Sequence, residues 1–154
     1  MQNLPHSDLA KGADIQPLLT AADGTQFGVV ICYEDAYGAE QLYALPDAGL
    51  LINVSNDAWF GDSIAPHQHL EIARMRSLEF GRPTVRSTNT GISAFIGADG
   101  ELLETGKQFT AELMTANVRP HRGMTPYAAS GNWPIVGLCL VILGLFWIRD
   151  RASL

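Results

Sequence analysis

Cys32 closes a short apolar, β-branched run at residues 27–32 (FGVVIC) and is followed directly by Tyr33, Glu34 and Asp35. A thiol is the most nucleophilic side chain near neutrality once a base or cation lowers its pKa, and it suits reactions that pass through a thioester. The end of a buried strand is where an α/β sheet presents such a group, because the loop there lies over a rigid edge. A cysteine at that place also serves as a small core residue, and placement alone does not separate the two. Glu34 or Asp35 is positioned to orient the thiol, take its proton or bind an amine. Alternation along an extended chain lets at most one of the pair face as Cys32 does, and both also fit a solvated turn.

A second polar cluster follows the next apolar run. Residues 53–61 read NVSNDAWFG, in which Asn56 and Asp57 offer polar contacts and Trp59 and Phe60 an apolar wall; an Asx turn with packed aromatics is the plainer alternative. His67 and His69, near Asp57 and Asp62, raise the question of zinc. No paired-cysteine or H-E-x-x-H spacing supplies three convergent ligands, so no metal is expected. Arg74, Arg76 and Glu79 stand on a mostly apolar segment and read either as solvated charges or as buried ion pairs joining helix to sheet. Glycine-rich phosphate loops and a Gly-x-Ser-x-Gly nucleophile motif are absent.

These groups need a scaffold, and its elements are legible. Residues 1–22 carry Pro5, Gly12 and Pro17 and read as loop. Residues 27–32 and 49–54 have the signature of strands buried on both faces, separated by a short helix at 39–45 that Pro46 stops. Residues 67–80 contain no Gly or Pro and place Leu70, Ile72, Ala73, Met75, Leu78 and Phe80 on a broad helical face, closed by Gly81. Strands at 84–87 and 92–96 flank an Asn-Thr-Gly turn, a hairpin follows through Asp99-Gly100 into 101–104, and a further strand is predicted at 111–118. The whole predicts an α/β domain with a mixed sheet.

Composition narrows the function classes. The chain has 154 residues, 47% of them apolar, and a formal net charge of -6 without a basic run, which excludes the footprint of a nucleic-acid binder. Only two cysteines occur; Cys139 lies within the C-terminal apolar run, out of reach of Cys32, so Cys32 is predicted to be a free thiol. Residues 133–148 (WPIVGLCLVILGLFWI) are unbroken by charge, and the 127–132 stretch extends them to a full span. The ten Leu, Ile, Val and Phe residues in that run favour insertion by about 5 kcal/mol, with Trp133 and Trp147 at the interfaces. Arg119 and Arg122 before the span and Arg149 and Arg151 after it leave its orientation undecided. Residues 1–6 have no export signal, so the globular part is either a cytoplasmic tail-anchored domain or a piece of a longer chain whose earlier spans set its topology.

The string Val29-Val30-Ile31-Cys32-Tyr33-Glu34, followed by Ser55-Asn56-Asp57-Ala58-Trp59-Phe60-Gly61, resembles the nitrilase (carbon-nitrogen hydrolase) superfamily and, within it, the apolipoprotein N-acyltransferases. Pro66-His67-Gln68-His69, Ala73-Arg74-Met75-Arg76-Ser77-Leu78-Glu79, Arg86-Ser87-Thr88-Asn89-Thr90-Gly91-Ile92, Thr125-Pro126-Tyr127 and Gly131-Asn132-Trp133-Pro134 continue the match in order. The resemblance implies the C-terminal part of a nitrilase-like αββα sandwich, residues 1–126, then a transmembrane helix at 127–148 and a short tail at 149–154. It also implies a Glu-Lys-Cys triad without metal or organic cofactor, on the periplasmic side of a bacterial inner membrane. Cys32 matches the nucleophile that takes an acyl chain from a phospholipid and passes it to the N-terminal amine of a diacylglyceryl apolipoprotein. Tyr33 and Glu34 match residues that the family needs beside the nucleophile, and Trp59 lies in a loop matching one near the active site; Asn56 and Asp57 are carried as supporting residues.

One departure matters: nothing here matches the motifs of the family's catalytic Glu and Lys. Lys11 follows no such motif, and Glu34 is not the triad base. Loss of a general base costs typically 10²- to 10⁴-fold, so the segment alone is expected to be nearly inactive, and its uncovered sheet edges predict poor stability in isolation. Two other readings stand beside acyl transfer: a carbon-nitrogen hydrolase in which water resolves the thioester, and a non-catalytic membrane-anchored remnant.

Overall fold

The computed structural model describes residue 13 and residues 15–152. Lys11, with most of the leading loop, lies outside them. Six strands form one mixed sheet in chain order: β1 (Leu19–Thr20), β2 (Gln26–Ile31), β3 (Leu50–Ser55), β4 (Thr84–Thr88), β5 (Ala94–Ile96) and β6 (Leu102–Thr105). β2, β3 and β4 run parallel and the outer pairs antiparallel. Parallel neighbours require crossovers. The first holds α1 (Gly38–Gln41), and the second holds α2 (Ala65–Phe80).

Register explains why the strands are apolar throughout. Val30, Asn53, Arg86 and Ala94 form one row across the sheet, and Gly28, Leu51, Thr84 and Ile96 another; all eight are buried. The alternate row of Val29, Ile52, Val85 and Phe95 faces the other way and is only partly covered, and Ile31 and Val54 are exposed. Within the described residues the central strands therefore bury one face, not the two that their composition predicts. Leu70 and Ala73 of α2 pack with Ile92, Ala94 and Ile96 into the core.

α2 starts two residues before its predicted N-terminus because Pro66 fits a first helical turn, where its missing N–H costs nothing. It ends at Gly81, whose φ of 61° allows the Arg82 N–H to reach the Ser77 carbonyl. Its buried stripe is Pro66, His69, Leu70, Ala73, Ser77 and Phe80. Met75 and Leu78, predicted on the core face, are about half exposed, at 48% and 51%. The helix is rotated so that two polar residues face inward: His69 meets groups just past the ends of β2 and β3, and Ser77 donates to Thr84 Oγ1 of β4 at 2.7 Å.

Two further expectations fail. Residues 111–118 form no strand: they lie beyond β6 without ladder partners among the described residues, and Leu113 is 93% exposed. Conversely β1 falls in a stretch read as loop, because a two-residue strand carries no periodic signal. The C-terminal helix, α4 (Trp133–Ala152), opens at Trp133; residues 126–130 form a separate short helix, α3, that Thr125 caps by accepting from the Ala128 N–H. Gly131, at φ 55°, makes the break. α4 is long and apolar enough to cross a membrane, with none of its span buried against the domain. Its 20 residues give about 30 Å, the thickness of a bilayer's hydrocarbon core, and Arg151 stacks on Trp147 at 3.9 Å.

Arg82 locks this scaffold from inside. It is 1% exposed and donates only to carbonyls: Nε to Ala48, Nη1 to Phe80 and Gly81, Nη2 to Pro46 and Gly123. One guanidinium thus ties the β3 approach, the α2 terminus and the loop before α3. Burial pulls its pKa below the ordinary arginine value. Arg82→Met is expected to destabilise the domain by roughly 3 kcal/mol, since several buried carbonyls lose their donor; a thermal unfolding curve unchanged from wild type would contradict this.

Candidate active site

β2 ends at Ile31, one residue earlier than its composition predicts, and Cys32 opens a 3₁₀ turn, Cys32–Ala36. Cys32 has φ of 52°, in the left-handed region that costs a non-glycine residue on the order of 1 kcal/mol. The chain therefore turns sharply out of the strand at the cysteine, which is a free, partly exposed thiol. Two donors hold that turn by its carbonyl: Asn53 Nδ2 at 3.2 Å and His69 Nε2 at 3.3 Å from the Cys32 oxygen. The exposed Glu34 folds back, its carboxylate accepting from the Ile31 N–H at 2.7 Å, while its own carbonyl accepts from Gln41 Nε2.

A sealed charge network underlies the turn. Arg86, in the middle of β4, donates from Nη1 to Asp35 Oδ2 at 3.3 Å and to Asn53 Oδ1, and from Nη2 to Asp57 Oδ2 at 3.1 Å. His69 reaches Asp57 Oδ1 through Nδ1 at 3.0 Å and Asp35 Oδ1 through Nε2 at 3.2 Å. Every one of these side chains is at most 3% exposed. Burial lowers the Arg86 pKa against the opposing pull of Asp57 and Asp35. Burial also acts to lower that of His69, but the hydrogen bond to Asp35 and the charges of Asp35 and Asp57 outweigh it, and the pKa is raised. Ser55 Oγ adds a 2.6 Å bond to Asp57, and the Asp57 N–H donates to Asn89 Oδ1. Gly91 is needed here, because a Cβ would come within 2.8 Å of that of Asp57.

The residues singled out from sequence divide into layers. Cys32 is at the strand end and Asp57 beneath it in the network. Tyr33 is 54% exposed, edge-on to Tyr37, with its ring 6.2 Å from that of His69. Asn56 is exposed and accepts from Asn89 Nδ2 and the Ala58 N–H, so it shapes the loop. Trp59 is 86% exposed. Of the two acids after Cys32, Asp35 is the buried one. The histidine pair splits as well: His67 points outward, and His69 has both ring nitrogens facing oxygens of the network. Arg76 pairs with Glu79 at 2.8 Å while partly buried, and the exposed Glu71 takes Arg74. Sequence reasoning raised His69 only as a candidate zinc ligand and did not single out Asn53 or Arg86 for the site. The available signal was a charged and an amide residue at interior positions of otherwise buried strands.

A family model described as carbon-nitrogen hydrolase matches residues 6–124. The chain belongs to the carbon-nitrogen hydrolase family. Within this family it is 48% identical over 150 residues to an apolipoprotein N-acyltransferase of Methylococcus capsulatus, covering 97% of this chain and 30% of that protein. It is 46% identical over 142 residues to the enzyme of the same name from Haemophilus influenzae, covering 92% and 27%. The chain thus spans under a third of these relatives' length. Among solved structures, an amidase from Nesterenkonia sp. superposes with a TM-score of 0.53 at 18% identity, over 82% of this chain and 48% of that one. A variant of the amidase from Nesterenkonia sp. AN1, bearing acrylamide added at its active-site cysteine, gives 0.52 at 16% identity over 82% and 49%. At these identities the likeness is one of fold.

Proposed function

We propose that this segment carries the nucleophile of an apolipoprotein N-acyltransferase. The observation that carries the reading is Cys32 itself: a partly exposed thiol on a strained left-handed turn at the end of a central strand, held by its carbonyl above a buried charge network. The identity to relatives of that name and the apolar α4 support it. In the reaction, the Cys32 thiolate attacks the carbonyl carbon of a phospholipid acyl ester; the ester C–O bond breaks, leaving a Cys32 thioester and a lysophospholipid. The free N-terminal amine of a diacylglyceryl apolipoprotein then attacks the thioester, forming the amide and returning the thiol. The reading calls for a base to take the first proton and a cation to face the oxyanion; this segment, under a third of its relatives' length, carries no match to the family's motifs for either.

Tyr33 and Glu34 flank the attack trajectory, Glu34 by holding the strand end through Ile31. Asn56 and Asp57 brace the loop after β3 through Asn89, Ser55 and the Ala58 N–H, and the exposed Trp59 is carried by that loop. On this reading α4 anchors the segment in a bacterial inner membrane with the domain on the periplasmic side; the length and apolar character of the helix support the anchoring. Likeness to amidases favours one second reading, hydrolysis, in which water replaces the amine. The two are separated by incubating the full-length protein in detergent with a phospholipid labelled in its acyl chain and a diacylglyceryl-cysteine peptide. Label in an N-terminal amide is expected; label found only as free fatty acid would establish the hydrolase instead.

A further inference from the structure

His69 is the one member of the buried network whose charge can change near neutrality. Its surroundings are set from every side: Asp35 and the Tyr33 ring from the 3₁₀ turn, Asp57 from the loop after β3, Asn53 from β3 and Arg86 from β4. Each ring nitrogen faces an acceptor, Asp57 Oδ1 at 3.0 Å from Nδ1 and, from Nε2, Asp35 Oδ1 at 3.2 Å and the Cys32 carbonyl at 3.3 Å. A neutral imidazole has one N–H, so one lone pair would point at an oxygen. Two buried carboxylates against Arg86 alone leave one negative charge unmatched; an imidazolium closes the balance.

We propose that His69 is held as an imidazolium and acts as a positioning residue for Cys32, sharing its Nε2–H between Asp35 and the Cys32 carbonyl so that the left-handed turn keeps the sulfur presented. The raised pKa of His69 agrees with this. Its stabilising contribution is complete below the unfolded-state value of about 6.5 and is lost as pH rises through the raised folded-state value. Loss of the proton leaves a carboxylate unmatched and, when it leaves from Nε2, removes a donor from the Cys32 carbonyl. Thioester formation should then slow on the alkaline side.

The kinetic half of this proposal rests on the acyl-transfer reading; the protonation half does not. The test uses the full-length protein in detergent, with ¹⁵N-labelled histidine, as wild type and as Asp57→Asn. Wild-type His69 is expected to show two protonated nitrogens at pH 7, and in Asp57→Asn its titration midpoint should fall by about one pH unit. The alkaline midpoint of thioester formation at saturating phospholipid should fall with it. A residue that only fills space would leave that kinetic midpoint in place. A neutral His69 tautomer at pH 7, or kinetic and spectroscopic midpoints that move independently, overturns the proposal; the wild-type titration suffices if Asp57→Asn does not fold. If no thioester forms at any pH, acyl transfer falls, and iodoacetamide alkylation of Cys32 at pH 8 carries the positioning test. At least threefold slower alkylation in Asp57→Asn is then expected, and equal rates overturn positioning.

Discussion

Cys32→Ala in the full-length protein is expected to abolish acyl transfer, lowering the rate by on the order of 10⁴-fold or more while phospholipid binding and folding persist. Removing a nucleophile that forms a covalent intermediate eliminates the two-step route, and whatever remains comes from binding and oxyanion contacts alone. The substitution is structurally mild. Alanine keeps the Cβ, and the two bonds that fix residue 32 go to its backbone carbonyl, which alanine retains. Melting within a few degrees of wild type would show that the loss is chemical. Cys139, exposed on α4, is far from these contacts in the chain, and Cys139→Ala should leave the rate within about twofold of wild type. Acyl transfer persisting in Cys32→Ala would end the nucleophile assignment.

Arg86→Met is expected to be among the most damaging single changes to the fold, costing about 3–5 kcal/mol. The guanidinium is fully buried between Asp35 and Asp57 and also donates to Asn53. Methionine fills similar volume but leaves two buried carboxylates, each 1% exposed, facing one histidine without the donors they had. Arg86→Lys should recover only part of the loss, because one ammonium cannot span the two carboxylates that Nη1 and Nη2 reach separately. Thermal denaturation should place the variants in the order wild type, Lys, Met. An Arg86→Met protein as stable as wild type would mean that the network does not hold the sheet to α2.

The elements were legible wherever a period ran long enough. The strands at 27–32, 49–54 and 84–87, the helix ending at Gly81 and the hairpin through Gly100 all appear within a few residues of expectation. Short or edge structure was not legible: β1 has two residues, and 111–118 has strand composition but no partner strand among the described residues. In the site, Cys32 was visible from its position at a strand end and from the resemblance. The network beneath it was not, because pairing of Asp35, Asp57, His69 and Arg86 depends on both crossovers and β4 meeting under one turn, and local periodicity carries no information about that. The apolar pattern also misdirected the α2 face: Met75 and Leu78 count as core by type, but the helix turns to bring His69 to two carboxylates, whose pairing outranks burial of those two side chains.

The claim on which the account rests is that Cys32 sulfur carries the acyl chain. Full-length protein incubated with phospholipid and no acceptor, quenched in acid and digested, should yield the Cys32 peptide heavier by one fatty acyl group, and neutral hydroxylamine should remove that mass. An unmodified Cys32 peptide from a preparation that goes on to acylate the acceptor, or acyl mass on a different residue, would contradict it.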